Sequence, residues 1–186
     1  MDNLEQRKEL FGFILHNLQK LGEKRYYGTL VTQKLIYFLK ESFHVDLLPY
    51  RFRFYHYGPY SEELDFDLKL MKGYGTIDIG SDPQGKGYSI TVIDEKAKEY
   101  ISSAKGVIKK YNKESEELLR FFGTYTPKSF ELLATIHYVY KKMKDSLTGA
   151  KLKEEVVNRV SELKSSFSKD DISTQYDLLV KEGLLK

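Results

Sequence analysis

The apolar residues of this chain change their period twice, and that change limits the folds open to it more than any other feature. Leu4, Phe11, Ile14, Leu15, Leu18 and Leu21 step by three and four from Phe11 onward, which predicts an amphipathic helix over 4–21. Gly22 is placed to end it. A second helix is expected over 29–43. Leu30, Val31, Leu35, Ile36, Phe38, Leu39 and Phe43 fill most of its circumference, so it should be largely buried. At Tyr50-Arg51-Phe52-Arg53-Phe54-Tyr55 the period falls to two. That predicts a strand with Tyr50, Phe52 and Phe54 on one face and Arg51, Arg53 and Tyr55 on the other. Gly58-Pro59 reads as a turn. Ser61 is the expected N-cap of a third helix running to about Lys72 and ending at Gly73, with Glu62 and Glu63 suited to its first turn. Period two returns over 76–79 and 88–93, joined by a Gly- and Pro-rich stretch over 80–87 that predicts a hairpin loop.

Helices followed by a two-stranded hairpin describe a winged helix-turn-helix, where the last helix is the reading element and the hairpin loop is the wing. The expected fold is mainly α with a small β-hairpin. A winged-helix domain over 1–93 leads into a long connecting helix over 94–123, and a helical, winged-helix-like C-terminal domain covers 124–186. Along the connecting helix Ile101, Ala104, Ile108, Tyr111, Ser115, Leu118 and Phe122 keep an a/d heptad register. Such a stripe either joins two copies as a homodimer or packs on its own domain, and Gly106 and Asn112 weaken the helix. Beyond the break at Pro127, helices are expected over 130–143, 152–163 and 172–180, the last capped by the 168–171 segment. The two halves rhyme, each with a helix end, a glycine (Gly73, Gly183) and an apolar strand start.

Among 186 residues, 30 Lys and Arg against 27 Asp and Glu leave a net charge of +3, which excludes a polybasic chain that would coat phosphate indiscriminately. Residues 1–93 carry 12 basic and 12 acidic side chains and residues 94–186 carry 18 and 15, so the excess lies in the second half. Its densest cationic stretches are Lys141, Lys142, Lys144, Lys151 and Lys153, and Lys105, Lys109, Lys110 and Lys113. Each is either a phosphate contact or a solvated face. Cysteine is absent, which removes disulfides, thiolate metal sites and a Cys nucleophile. No apolar run is long enough to span a bilayer, and MDNLEQRKEL lacks the apolar stretch of a secretory signal, so a cytoplasmic location is expected. The phosphate-binding, dinucleotide, HExxH and GxSxG signatures are missing, and His16, His44, His56 and His137 stand far apart. Glu62, Glu63, Asp65 and Asp67 resemble a Mg²⁺ cluster, but an acidic first turn is ordinary dipole complementation. The expectation is a protein that is not an enzyme and uses neither metal nor cofactor.

Chemistry concentrates in YRFRFYHYGPY, residues 50–60, with six aromatic residues, three Arg or His and no acid. Rings beside cations suit single-stranded nucleic acid or a protein interface, and they suit equally a core strand with salt-bridged arginines. Gln33-Lys34-Leu35-Ile36-Tyr37-Phe38-Leu39, followed by 54–64 with its Tyr57-Gly58-Pro59 turn, resembles the YwgA-like proteins of bacteria and archaea. It is similar, more distantly, to the Panacea (SocA-like antitoxin) domain. The resemblance covers about residues 5–95. YwgA-like proteins have no established activity. Panacea domains are associated with neutralising toxins, so what the resemblance implies is protein binding, with Tyr57, Gly58, Pro59 and the acidic residues after them as the motif positions.

Two functions follow as expectations. The first is a DNA-binding transcription regulator, reading with Lys69 and Lys72 of the third helix and Lys86 of the wing. The second is an antitoxin-like protein-interaction module using the strip at 50–60. The candidate contact residues for DNA or a protein partner are Arg51, Arg53, Tyr55, His56, Tyr57, Tyr60, Lys69, Lys72 and Lys86. The acids of the third helix repel phosphate and weigh against the first.

Overall fold

A computed structural model describes residues 3–22, 27–81, 88–123 and 125–185. In chain order the elements are α1 (Asn3–Gly22), α2 (Thr29–Glu41), β1 (Arg53–Tyr55), β2 (Gly58–Tyr60), α3 (Glu62–Gly73), β3 (Ile77–Ser81) and β4 (Tyr88–Val92). They continue with α4 (Asp94–Ser103), α5 (Lys105–Lys110), α6 (Asn112–Phe122), α7 (Pro127–Met143), α8 (Gly149–Leu163) and α9 (Lys169–Lys181). The protein is thus mainly helical, with two small antiparallel hairpins, β1–β2 and β3–β4. No helix among the described residues is long and apolar enough to cross a membrane. The chain divides into two compact units, one of residues 1–52 and 61–124, the other of 53–60 and 125–186. Segment 53–60, expected in the N-terminal domain, therefore groups with the C-terminal helices, and 94–123 belongs inside the first unit rather than between two.

In the first unit the α1 stripe is the core. Phe11, Ile14, Leu15, Leu18 and Leu21 are all buried, whereas Leu4, two turns before Phe11 near the start of the helix, is 64% exposed. Every residue of α2 from Val31 to Leu39 is buried, Lys34 included, as its nearly continuous apolar surface predicts. The expected long helix is three helices, broken at Ala104 (φ −86°, ψ 6°) and Tyr111 (φ −110°, ψ 20°). Gly106 and Asn112, both poor helix formers, stand beside the breaks. The bends turn the heptad stripe inward. Ala104, Tyr111, Ser115 and Leu118 are buried within their own unit as α4, α5 and α6 pack on α1 and as α6 meets α2. Phe13 and Tyr111 meet edge to face at 5.9 Å. Those four positions pack within their own unit, the second of the two alternatives that the stripe offered.

Strands β3 and β4 pair from Ile77↔Val92 to Ser81↔Tyr88. The loop between them, with Lys86, lies outside the described residues. On its other side Ile90 donates its N–H to the Tyr27 carbonyl at 2.7 Å, so one residue of the α1–α2 connection adds to the hairpin. The turn out of α3 is made by Gly75 (φ 70°), not Gly73. Thr76 N–H returns to the Met71 carbonyl and Gly75 N–H to that of Lys72. The end of α9 repeats this. Gly183 has φ 68°, Leu184 N–H bonds to the Leu179 carbonyl and Gly183 N–H to that of Val180. The rhyme is real in geometry, but it matches Gly75 with Gly183, two residues from the match read in sequence.

In the second unit α7, α8 and α9 each pack on the other two. Phe130, Leu133, Ile136, Val156, Val160, Ile172 and Leu179 form the core. Each helix starts three residues before its first apolar signal, because caps precede buried residues. Thr126 accepts from Ser129 N–H ahead of Pro127, and Ser168 with Asp171 forms a complete capping box.

Candidate functional site

The strip at 50–60 is not one strand. The alternation holds for burial, with Tyr50 fully buried, Arg51 and Arg53 exposed, and Phe52 and Phe54 half-buried, but pairing covers only 53–55. Its partner is Gly58-Pro59-Tyr60, of which Gly58-Pro59 is expected from sequence as a turn. The register Arg53↔Tyr60, Phe54↔Pro59, Tyr55↔Gly58 leaves His56-Tyr57 as the two-residue turn. Two local facts permit this. Gly58 takes φ 90°, open to glycine at no steric cost. Pro59 faces Phe54 at the pair between the two hydrogen-bonded ones, where its missing N–H breaks no ladder bond.

The hairpin has two unlike faces. Phe54 and Pro59 point to the helices, Pro59 buried and the Phe54 ring 5.8 Å from that of Tyr138 on α7. Arg53, Tyr55 and Tyr60 share the outer face. There the Tyr55 ring lies 5.6 Å from Tyr60 and 4.4 Å from His56. Tyr55 is 51% and Tyr57 60% exposed. Behind the turn stands Lys164, invisible to sequence reasoning. Its side chain is buried at the C-terminal end of α8. Its ammonium donates to the His56 carbonyl at 2.8 Å, is ion-paired with Glu131 of α7, and lies 5.9 Å from the centres of both the Phe54 and Tyr57 rings. No periodicity or motif marks a lone lysine after a helix, so only the folded geometry finds it.

The residues expected to read DNA are placed differently. Lys69 is bound to Asp65 at 2.7 Å. Lys72 donates to the Ile79 carbonyl at 2.9 Å and lies 3.5 Å from Asp78. The exposed face of α3 also carries Glu62, Glu63 and Phe66. The carboxylates of α3 do not converge. Asp67 accepts from Arg7 at 2.7 Å and from the buried Tyr50 hydroxyl at 3.0 Å, while Glu63 takes the Ser61 hydroxyl at 2.6 Å. That last bond, more than the nearby Arg51 charge, holds the Glu63 carboxyl below its ordinary range. Burial, then the Asp67 charge, drives the Tyr50 phenol far up, so it stays a donor. The Arg7–Asp67–Tyr50 network underlies an open cavity of about 870 Å³ walled by Leu10, Leu47, Pro49 and Phe66. No group of three His, Asp or Glu side chains among the described residues is arranged to hold a metal ion. In the lysine clusters, Lys153 grips Asp177 at 2.7 Å, Lys113 lies 3.9 Å from Glu117, and Lys142 and Lys110 lean on the Tyr138 and Tyr111 rings.

One residue from each of the two motifs that carry the family resemblance, Gln33 and Ser61, meet in the first unit. Gln33 donates to the Ser61 carbonyl at 3.0 Å and accepts from Ser61 N–H at 2.9 Å, both residues being buried. A side-chain amide thereby pins the N-cap of α3 to α2, which gives these positions a packing role. No family model matches the chain, and no curated protein matches it.

Proposed function

We propose that the protein is a non-enzymatic protein-binding module whose contact surface is the outer face of the 53–60 hairpin. Arg53, Tyr55 and Tyr60 form the face, and His56 and Tyr57 extend it over the turn. The partner surface is acidic, since this face carries the Arg53 guanidinium and no carboxylate. The observation that carries this reading is the exposure of Tyr55 and Tyr57 on a hairpin whose opposite face is packed against helices. Tyrosines and arginines on a pre-ordered support lose little entropy on contact and are the residues that dominate interface energetics.

The scaffold is read here as a winged helix. The order α1, α2, α3, β3, β4 and the Tyr27–Ile90 bond, a one-residue version of the third wing strand, support that reading. The 20 residues between α2 and α3 are far more than a helix-turn-helix turn needs. The matched ends of α3 and α9 support a winged-helix-like C-terminal unit. This scaffold also keeps the regulator reading alive, although Lys69 and Lys72 already have acidic or carbonyl partners.

The two readings separate in one experiment. Tagged full-length protein is recovered from the cells that make it, beside Arg53→Glu, Tyr57→Ala and Lys69→Glu/Lys72→Glu variants, and each is titrated with duplex DNA at about 50 mM salt, where phosphate contacts are strongest. The proposal expects a stoichiometric protein partner on the wild type and on the lysine variant, released by Arg53→Glu and Tyr57→Ala. Partner retention by both hairpin variants overturns it, as does tight duplex binding abolished by the lysine changes.

A further inference from the structure

We propose that Lys164 is the positioning residue of the hairpin, holding the 56–57 turn from behind so that the outer face is presented in one ordered conformation. Three elements converge on this one ammonium: the turn through the His56 carbonyl, α7 through Glu131, and α8, whose C-cap Lys164 is. The Lys164 side chain is 7% exposed and that of Glu131 16%. A charge so placed carries a desolvation cost that an ion pair alone repays poorly. A plain α7–α8 contact would be met as well by two apolar residues. What apolar residues cannot supply is a donor to the turn carbonyl and a cation against the Phe54 and Tyr57 rings. The hairpin is two three-residue strands, too short to be stable in isolation. Support reaches it from its back, where Phe54 meets Tyr138, Pro59 is buried, and Lys164 supplies a polar contact to the turn. The α8 helix ends at Leu163, so its last carbonyls also favour a cation at this position.

The inference takes its functional meaning from the interaction face proposed above, but its test needs no partner. Backbone hydrogen exchange is followed residue by residue in the full chain for wild type, Lys164→Met and the Lys164→Met/Glu131→Leu double variant. If Lys164 serves only to neutralise Glu131, removing both restores the hairpin. If it positions the turn, Tyr55, Gly58 and Tyr60 amides exchange about tenfold faster in both variants, because the lost bond is worth about that factor, while the α7–α9 amides of the double variant return to wild-type rates. Hairpin rates within twofold of wild type in the double variant overturn the inference. Should the variants fail to fold, the wild-type spectrum decides. Ring currents from Phe54 and Tyr57 must move the Lys164 ε-methylene protons upfield of the other lysines, with cross-peaks to both rings, and a random-coil shift without cross-peaks refutes the assignment. A partner lost on Arg53→Glu but held at a disordered hairpin would separate failure of this inference from failure of the interface.

Discussion

Acid should weaken the C-terminal unit through His137. His137 on α7 is 2% exposed, and its pKa is pushed down to about 3. Burial is the largest cause, the Lys141 charge adds to it, and a hydrogen bond to the Leu184 backbone opposes it only in part. The unfolded chain titrates this group near its ordinary 6.5. Between those two values the unfolded state binds a proton that the folded state refuses, so stability falls as pH falls through the window. At pH 5 the cost from this group is about 2 kcal/mol relative to pH 7.5, from the two pKa values by linkage. Urea unfolding followed through methyl resonances of Val160 and Leu179 measures it at the two pH values. His137→Gln, which cannot be protonated, isolates the group from the carboxylates. The wild type should lose about 2 kcal/mol more than the variant between pH 7.5 and pH 5. Equal losses in the two proteins would refute the argument that a neutral imidazole is locked into this core.

Two further outcomes test the packing. A Cβ on Gly12 would collide with the Tyr100 backbone carbonyl and the Ala104 methyl where α1 crosses α4, and backbone cannot swing aside. Gly12→Ala should therefore cost about 2 kcal/mol or more in denaturant unfolding of the first unit, and Gly106→Ala, which meets open space, should cost nothing or stabilise its helix. Ser168→Ala removes the capping box of α9, and a loss of about 1 kcal/mol in the urea-unfolding free energy of the second unit is expected.

Where local chemistry decides, the sequence was readable. The stripe of α1, the all-round burial of α2, the Ser61 and Ser168 caps and the β3–β4 hairpin each depend on residues a few positions apart. The errors have physical reasons too. The heptad spacing at 101–122 predicts one straight helix, whereas the chain bends at Ala104 and Tyr111, where α4, α5 and α6 pack on α1 and α6 on α2. Gly58-Pro59 looks like a turn in any window, yet its place in β2 follows from a register set by Tyr55 and Arg53. Gly73 and Gly75 are indistinguishable as caps until the returning hydrogen bonds are known. Least legible was what joins distant positions. Arg7 with Asp67, Gln33 with Ser61 and Lys164 with Glu131 and His56 span 28 to 108 residues, and nothing in their local sequence announces them.

We propose that the outer hairpin face touches a protein. A photoreactive benzoylphenylalanine in place of Tyr57, compared with one in place of the equally exposed Phe66 on α3, tests it inside living cells. A protein seated on the hairpin gives a discrete adduct from position 57 and none from position 66. Adducts confined to position 66, or nucleic acid captured from either, would contradict it.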